Sequence, residues 1–283
     1  MKTITLTNGI KIPALGFGTF QITDPTEVEN SVIAAIKAGY RHIDTAQSYM
    51  NEEAVGLGIK HSGVSREDIF VTTKIWVENT TYEGVHSSFK DSLNRLDMDY
   101  VDLLLLHQPY NDTFGAWRAM EELLEQGKVR SIGVSNFSAD QVINLAAFNE
   151  VTPYMNQIEV NPFHQQSNYI ELLKEEEIVP EVWAPFAEGK NNFFENETLE
   201  KIGKKYNKSV AQVVLRWLIE QDLVVLAKTV RPERMKENLD IFDFSLDDED
   251  RELIKSLDQQ ESQFFDHKDP EIIKNMSTRT LEF

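Results

Sequence analysis

Between positions 41 and 51 the chain reads Arg-His-Ile-Asp-Thr-Ala-Gln-Ser-Tyr-Met-Asn. A carboxylate, Asp44, and a phenol, Tyr49, stand five residues apart where a short strand should give way to a helix opened by Tyr49. From such a turn both side chains can face one cavity. Taken singly, each has a structural explanation: Asp at a strand end is usually a turn or capping residue, and Tyr near a helix start usually packs. A phenol with a pKa of about 10 is a poor acid at neutral pH. An ammonium beside it stabilises the phenolate and lowers that pKa. The chemistry open to the pair is therefore proton donation, provided a cation reaches the same place. Lys74 ends the run Ile-Phe-Val-Thr-Thr-Lys, and His107 follows the run 100–106, apolar but for Asp102. Lys74 on its own reads as a solvated charge, and His107 as a satisfied core histidine. Their value depends on the elements that carry them.

Those elements repeat. Alternating apolar residues flank Asn8-Gly9 in 3–12, a hairpin signal that places a plug at one end of the repeating region. Residues 14–18 form a first strand. Asp24, Pro25 and Glu27 then mark a helix start with a capping box, Val28, Val32, Ala35 and Ile36 its buried face, and Gly39 its end. Further strands are expected at 41–44, 69–74, 100–106, 129–135, 154–159, 178–184 and 223–227, each followed by helical periodicity. Two more helices are expected at 232–239 and 247–257, then a polar tail with few periodic signals. Strand–helix alternation implies a parallel sheet, and eight units imply a closed (β/α)8 TIM barrel, an α/β fold with residues 1–283 as a single domain. The rival, an open doubly wound sheet, usually carries Gly-x-Gly-x-x-Gly after its first strand, whereas this chain has Leu-Gly-Phe-Gly-Thr-Phe at 15–20. In a barrel, chemistry sits at the C-terminal strand ends. Strands 2, 3 and 4 are neighbours, and they deliver Asp44 with Tyr49, Lys74 with Trp76, and His107 with Gln108 to one rim. The other strands end at Gly18-Thr19-Phe20, Ser135-Asn136, Gln157 with Glu159, Trp183, and Lys228-Thr229.

The bulk properties narrow the functions. The 283 residues carry a formal charge of −19, which argues against nucleic acid or an anionic membrane surface as partner. An anionic ligand would need a local basic cluster, and Lys228-Thr229-Val230-Arg231-Pro232-Glu233-Arg234 supplies one at a helix start. There is no cysteine, so disulfide and thiolate chemistry are excluded. No His pair at ligand spacing suggests a metal. No segment has the apolar length of a signal peptide or a membrane span, so a cytoplasmic protein is expected, with a monomer as the default.

Asp44, Tyr49, Lys74 and His107 together resemble the tetrad of the aldo-keto reductases. The resemblance extends over nearly the whole chain: Leu-Gly-Phe-Gly-Thr at 15–19, Asp-Thr-Ala at 44–46 with Tyr49 and Asn51-Glu52, and Leu-His-Gln-Pro at 106–109. Gly-Val-Ser-Asn-Phe at 133–137, Asn-Gln-Ile-Glu-Val-Asn-Pro at 156–162, and Lys228-Thr229 with Arg234 and Glu237-Asn238 continue it. Within the family the chain is most similar to the short bacterial members of the 2,5-diketogluconate and glyoxal or methylglyoxal reductase type. The resemblance implies reduction of a small carbonyl substrate with a nicotinamide cofactor. Tyr49 would be the general acid, Lys74 would lower its pKa, Asp44 would hold Lys74, and His107 would orient the carbonyl oxygen. Ser135, Asn136 and Gln157 would hold the carboxamide and Trp183, where Tyr is frequent, would stack on the ring. Gly18 and Thr19, with Lys228, Thr229, Val230, Arg234, Glu237 and Asn238, would complete the cofactor site. The cations around Arg234 imply NADPH over NADH.

Several positions depart from the family pattern. Gln108 stands where Trp is frequent, Phe20 where many members have Trp, Ala227 where Pro often precedes the Lys, and Ala-Pro-Phe-Ala-Glu-Gly occupies 184–189 in place of a Ser-Pro-Leu run. Phe20, Trp76 and Gln108, with His107, should line a polar and roomy substrate mouth that favours small dicarbonyls or keto-sugars. Phe264 and Phe265 are expected either as a pocket lid or as packing under the rim. Two other functions use the same barrel. One is a non-catalytic NADP(H)-sensing regulatory subunit, against which the intact tetrad argues. The other is a phosphate-binding isomerase, which would need a Glu or His base and no Tyr–Lys pair.

Overall fold

The computed structural model describes residues 2–282. The expected hairpin opens it: β1 (Thr3–Thr5) pairs antiparallel with β2 (Lys11–Pro13) across a turn in which Gly9 takes φ 85°, a left-handed value open to a residue without Cβ. Eight strands then alternate with helices: β3 (Leu15–Gly18), α1 (Pro25–Ala38), β4 (His42–Asp44), α2 (Glu52–His61), β5 (Phe70–Ile75), α3 (Tyr82–Leu96), β6 (Leu103–Leu106) and α4 (Thr113–Glu125). The second half continues with β7 (Ile132–Ser135), α5 (Ala139–Ala147), β8 (Met155–Glu159), α6 (Ser167–Glu175), β9 (Val179–Trp183), α7 (Glu197–Tyr206), α8 (Val210–Glu220) and β10 (Val224–Ala227). α9 (Pro232–Leu239), α10 (Asp248–Lys255) and α11 (Pro270–Ser277) complete the chain. Each barrel strand pairs parallel with the next, and β10 returns to β3, so the barrel is closed.

Local chemistry accounts for these boundaries. Asp24 caps α1 by accepting from the Glu27 backbone N–H at 2.8 Å, and Pro25 occupies the first turn, where its missing N–H removes no helical bond. Gly39 ends the helix at φ 123° while donating back to Ala35 and Ile36 carbonyls. Val28, Val32, Ala35 and Ile36 are buried as their spacing requires.

Several boundaries differ from expectation, and the strands expected at 100–106 and 129–135 begin only at Leu103 and Ile132. Tyr49 does not open α2; it closes a 3-10 turn (Gln47–Tyr49), Met50 then takes a left-handed φ of 56°, and the α-helix begins at Glu52. Asn51 causes the delay. Its side chain accepts from Thr45 Oγ1 and donates to the carbonyls of Thr19 and Ile22, which ties this stretch to the first strand's exit. The polar tail also contains α11, capped by Asp269, which packs Ile273 and Met276 against Trp76, Val77 and Tyr110. Ile272, Ile273 and Met276 span little more than one turn, too short for a periodic signal, and the partner surface leaves them half-buried.

The barrel interior is layered. Leu6 and Ile12 of the hairpin close the bottom against Phe70, Leu103, Leu105, Met155 and Val224. Above that apolar floor lie His42, Thr72 and Glu181, with His42 contacting Glu181 at 3.7 Å although β4 and β9 are not neighbours, so the pair meets through the lumen. Gly16 makes room for this layer: a Cβ there would stand 2.5 Å from His42 Nδ1. Lys74, Asp44 and Gln157 come next, beneath the open rim.

Candidate active site

The convergence expected of strands 2, 3 and 4 is present. Lys74 is fully buried on β5 and donates from Nζ to Asp44 Oδ1 at 2.6 Å, to the Thr45 carbonyl at 3.0 Å and to Tyr49 Oη at 3.2 Å. The ammonium's three donors are therefore all engaged. Burial disfavours its charge, but Asp44 and Tyr49 together outweigh burial and hold its pKa above the ordinary lysine value. Burial raises the Asp44 pKa, against the opposing pull of Lys74.

For Tyr49 the net direction differs from expectation. Burial dominates and raises its pKa, while Lys74 opposes with a lowering effect. The phenol is thus protonated at neutral pH, and the ammonium in contact with it stabilises the phenolate left when a proton departs. That is the state a proton donor needs.

His107 comes directly after β6 and faces the same space. Its ring lies edge-on to Tyr49 at 5.6 Å and to Trp76 at 5.4 Å. Burial, then the charges of Lys74 and Arg279, hold its pKa well below the ordinary histidine value, so the ring is neutral. Ser48 Oγ lies 3.3 Å from Nδ1. In the tautomer whose Nδ1 accepts from Ser48, Nε2–H is free to donate into the cleft.

The cleft above this group has a volume of ≈ 530 Å³. Phe20, Trp76 and Gln108 line it, as do Gly18, Ser135, Asn136, Gln157 and Trp183. Trp183 Nε1 donates to Asn136 Oδ1 at 2.9 Å, Asn136 Nδ2 donates to the His107 carbonyl and to Ser135 Oγ, and Ser135 Oγ donates to the Gln157 carbonyl. Asn136 takes φ 63°, a left-handed conformation that Asn tolerates better than most residues.

A second cavity of ≈ 430 Å³ adjoins the first, since Phe186 and Lys228 line both. It is edged by Thr229, Arg234, Glu237 and Asn238. Lys228 and Arg234 make no ion pair with any described residue, which leaves two cations free for an anion beside the start of α9. Two residues expected in this site lie elsewhere. Thr19 is fully buried and spends its hydroxyl on the Asp44 carbonyl at 2.9 Å, and Val230 faces a separate groove with Asp24 and Thr26 of the α1 start.

Four contributors are given no role by the sequence. Ser48 backs His107. Glu52, buried between Thr73 Oγ1 at 2.5 Å and Arg95 Nε at 2.8 Å, braces the turn carrying Tyr49 against β5. Arg279 reaches the cleft from beyond α11, donating to the Ser48 carbonyl at 3.1 Å and lying over the Trp76 ring. Glu181 lies beneath Gln157, and a charged residue inside the apolar run Val-Pro-Glu-Val-Trp was the signal that could have found it. Phe264 packs on Trp183 with ring centroids 5.1 Å apart, and both Phe264 and Phe265 line the cleft. The tail that brings them there is held by Glu159, which accepts from Ser262 Oγ at 2.6 Å and the Gln263 N–H at 2.9 Å.

Comparison with known proteins places the chain. A profile of the Aldo/keto reductase family matches residues 14–259. The chain is 44% identical to the glyoxal reductase of Bacillus subtilis (strain 168), across 92% of this chain and 94% of that protein. It is 39% identical to the methylglyoxal reductase DkgA of Escherichia coli (strain K12), across 90% and 93% of the two chains. Among solved structures, an aldo-keto reductase of Bombyx mori in complex with NADP superposes with a TM-score of 0.89 at 34% identity, covering 93% of this chain and 95% of that one.

Proposed function

From the chain's place as a member of the aldo/keto reductase family, to which it belongs, we propose that the Asp44–Lys74–Tyr49 chain and His107 form the catalytic site of an NADP-dependent carbonyl reductase. The reaction is reduction of an aldehyde or ketone to an alcohol, and bound NADPH supplies the hydride. The observation that carries the site assignment is the placement of Lys74 Nζ, in contact with Asp44 and Tyr49 Oη at once, beneath an open cleft.

The residues present fit the cofactor. Trp183 offers an aromatic face, Asn136 and Gln157 offer amides at one end of the joined cavities, and Lys228 and Arg234 offer cations with no ion-pair partner among the described residues at the other. Arg234 would take the 2′-phosphate, with a fork of N–H donors suited to it. In the chemistry assigned to the chain, His107 Nε2–H and Tyr49 Oη–H converge on the carbonyl oxygen of the substrate and polarise it. Tyr49 gives up its proton as negative charge develops there, and Lys74 stabilises the resulting phenolate. Asp44 keeps Lys74 charged in a site where burial alone would discharge it.

Phe20, Trp76 and Gln108 shape the substrate mouth, and Gln108 in place of an indole leaves it polar. Small dicarbonyls such as glyoxal or methylglyoxal, and keto-sugars, suit it. Arg279 adds a cation to one wall, so a carbonyl compound that also carries an anion is favoured over a neutral one of equal size. No helix among the described residues is long and apolar enough to cross a membrane. A cytoplasmic monomer built as one domain completes the proposal.

The test is a panel of small aldehydes, diketones and keto-sugars assayed with NADPH and NADH side by side. Turnover with loss of the NADPH absorbance band is expected. Cofactor binding with no turnover of any carbonyl would support a sensing barrel instead.

A further inference from the structure

One buried acid has no part in the catalytic scheme. Glu181 lies in β9 at 0% exposure, its Oε2 accepting from Gln157 Nε2 at 2.7 Å and its Oε1 without a hydrogen-bond partner among the described residues. Gln157 Nε2 donates its second hydrogen to Asp44 Oδ2 at 3.1 Å. A primary amide nitrogen has two donor hydrogens and no more, so both are taken. The side-chain amide oxygen of Gln157, Oε1, makes no hydrogen bond to any described residue, and Gln157 lines the cleft. Reversing the amide would set its oxygen against Asp44, an acceptor already engaged by Lys74, with two acceptor oxygens face to face. One orientation of the amide is therefore selected from below.

We propose that Glu181 is a positioning residue which, with Asp44, fixes the Gln157 amide with its oxygen toward the cleft, so that the site accepts a ligand group donating N–H there, as a nicotinamide carboxamide does. The inference rests on the NADP(H) reading of the cleft. It adds a physical link: the amide that meets the ligand also holds the carboxylate that holds Lys74. Electrostatics are consistent with the geometry. Burial, reinforced by the Asp44 charge, pushes Glu181 up to about 8, so it is a neutral acid at neutral pH. His42, 3.7 Å from Glu181 on the floor side, is held down to about 3 by burial and then by Lys74, and is also neutral. Glu181 can thus accept from Gln157 without adding a second charge beneath the Asp44–Lys74 pair.

The experiment compares two probes on the full chain by fluorescence titration: NADP+, and its analogue in which the carboxamide is replaced by a carboxylate, which has no N–H to give. The wild type should prefer NADP+ by about tenfold, the upper end of the scale for one hydrogen bond between neutral groups. Glu181→Gln keeps an acceptor oxygen in place and should retain that preference. Glu181→Leu frees one Gln157 donor, and the preference should fall by about tenfold. A folded Glu181→Leu protein with the wild-type preference overturns the proposal. So does equal affinity of the wild type for the two probes, a result that needs no variant. Failure of the wild type to bind either NADP+ or NADPH would instead overturn the cofactor reading on which the inference stands.

Discussion

At the scale of single residues, the central question is which group surrenders a proton. Tyr49 is held protonated by burial and touches an ammonium that stabilises its phenolate. Tyr49→Phe deletes one hydroxyl and leaves the ring's contacts with Phe20 and His107. Steady-state kinetics should show kcat for reduction reduced by about 10²-fold or more, the usual scale of a lost general acid, while NADPH titration changes little. Retention of more than about a tenth of kcat would remove Tyr49 from the role. His107 is neutral because burial and two cations depress its pKa well below 6.5. The rate of reduction should therefore show no inflection near 6.5 attributable to His107. If one appears in the wild type and disappears in His107→Gln, the neutral-donor role is wrong.

At the scale of elements, two segments outside the strand ends shape the site. The loop from β10 into α9 presents Lys228 and Arg234 to the second cavity with no carboxylate partner among the described residues. Arg234→Ala should weaken NADPH binding by about tenfold to a hundredfold, the scale of a lost charge-assisted pair, and leave NADH nearly unchanged. Equal weakening of both would remove Arg234 from the phosphate site. The tail is the other segment. It lies beyond the family match at 14–259, yet it puts Phe264, Phe265 and Arg279 on the cleft wall. Arg279→Met keeps the side chain's length and deletes its charge. With 4-carboxybenzaldehyde and its neutral methyl ester as a matched pair, the variant should lose severalfold in kcat/KM for the anion and little for the ester. The effect should shrink as salt is raised, because Arg279 is exposed and a solvated charge is screened.

At the scale of the whole molecule, the layered lumen links stability to pH in both directions. His42 is depressed from 6.5 to about 3, so the neutral form belongs to the fold, and stability falls as pH drops from 6.5 towards 3. Glu181 is raised from 4.5 to about 8, so the folded chain keeps a proton that the unfolded chain releases, and stability falls as pH climbs from 4.5 towards 8. Glu181→Gln removes the second of these. Its unfolding free energy relative to wild type should rise by up to about 1.4 kcal/mol per pH unit within that window, as followed by denaturant melts. A difference that is flat with pH would mean that Glu181 ionises in the fold as it does in the unfolded chain.

Much of this molecule was legible from the chain alone, because it is written in short-range chemistry. Asn8-Gly9 makes the hairpin turn, Asp24-Pro25 starts α1, Gly39 ends it, and unbroken apolar runs such as 103–106 form strands covered on both faces. With strands and helices alternating, closure of the barrel and the meeting of Asp44, Lys74 and His107 at one rim come from topology. What the chain alone could not decide depends on partners distant in sequence. Whether Tyr49 is net raised or lowered is a contest between burial and Lys74, and burial exists only in the packed lumen. The break before α2 depends on Asn51 finding the Thr19 and Ile22 carbonyls. α11 and Arg279 reach the cleft only because Trp76, Val77 and Tyr110 offer a surface more than 150 residues upstream. Glu181 is one charged letter within β9 until the closed barrel sets it beneath Gln157. Local propensity and capping act over a few residues and can be read in order, whereas desolvation and shared hydrogen bonds are set by which surfaces the fold brings together.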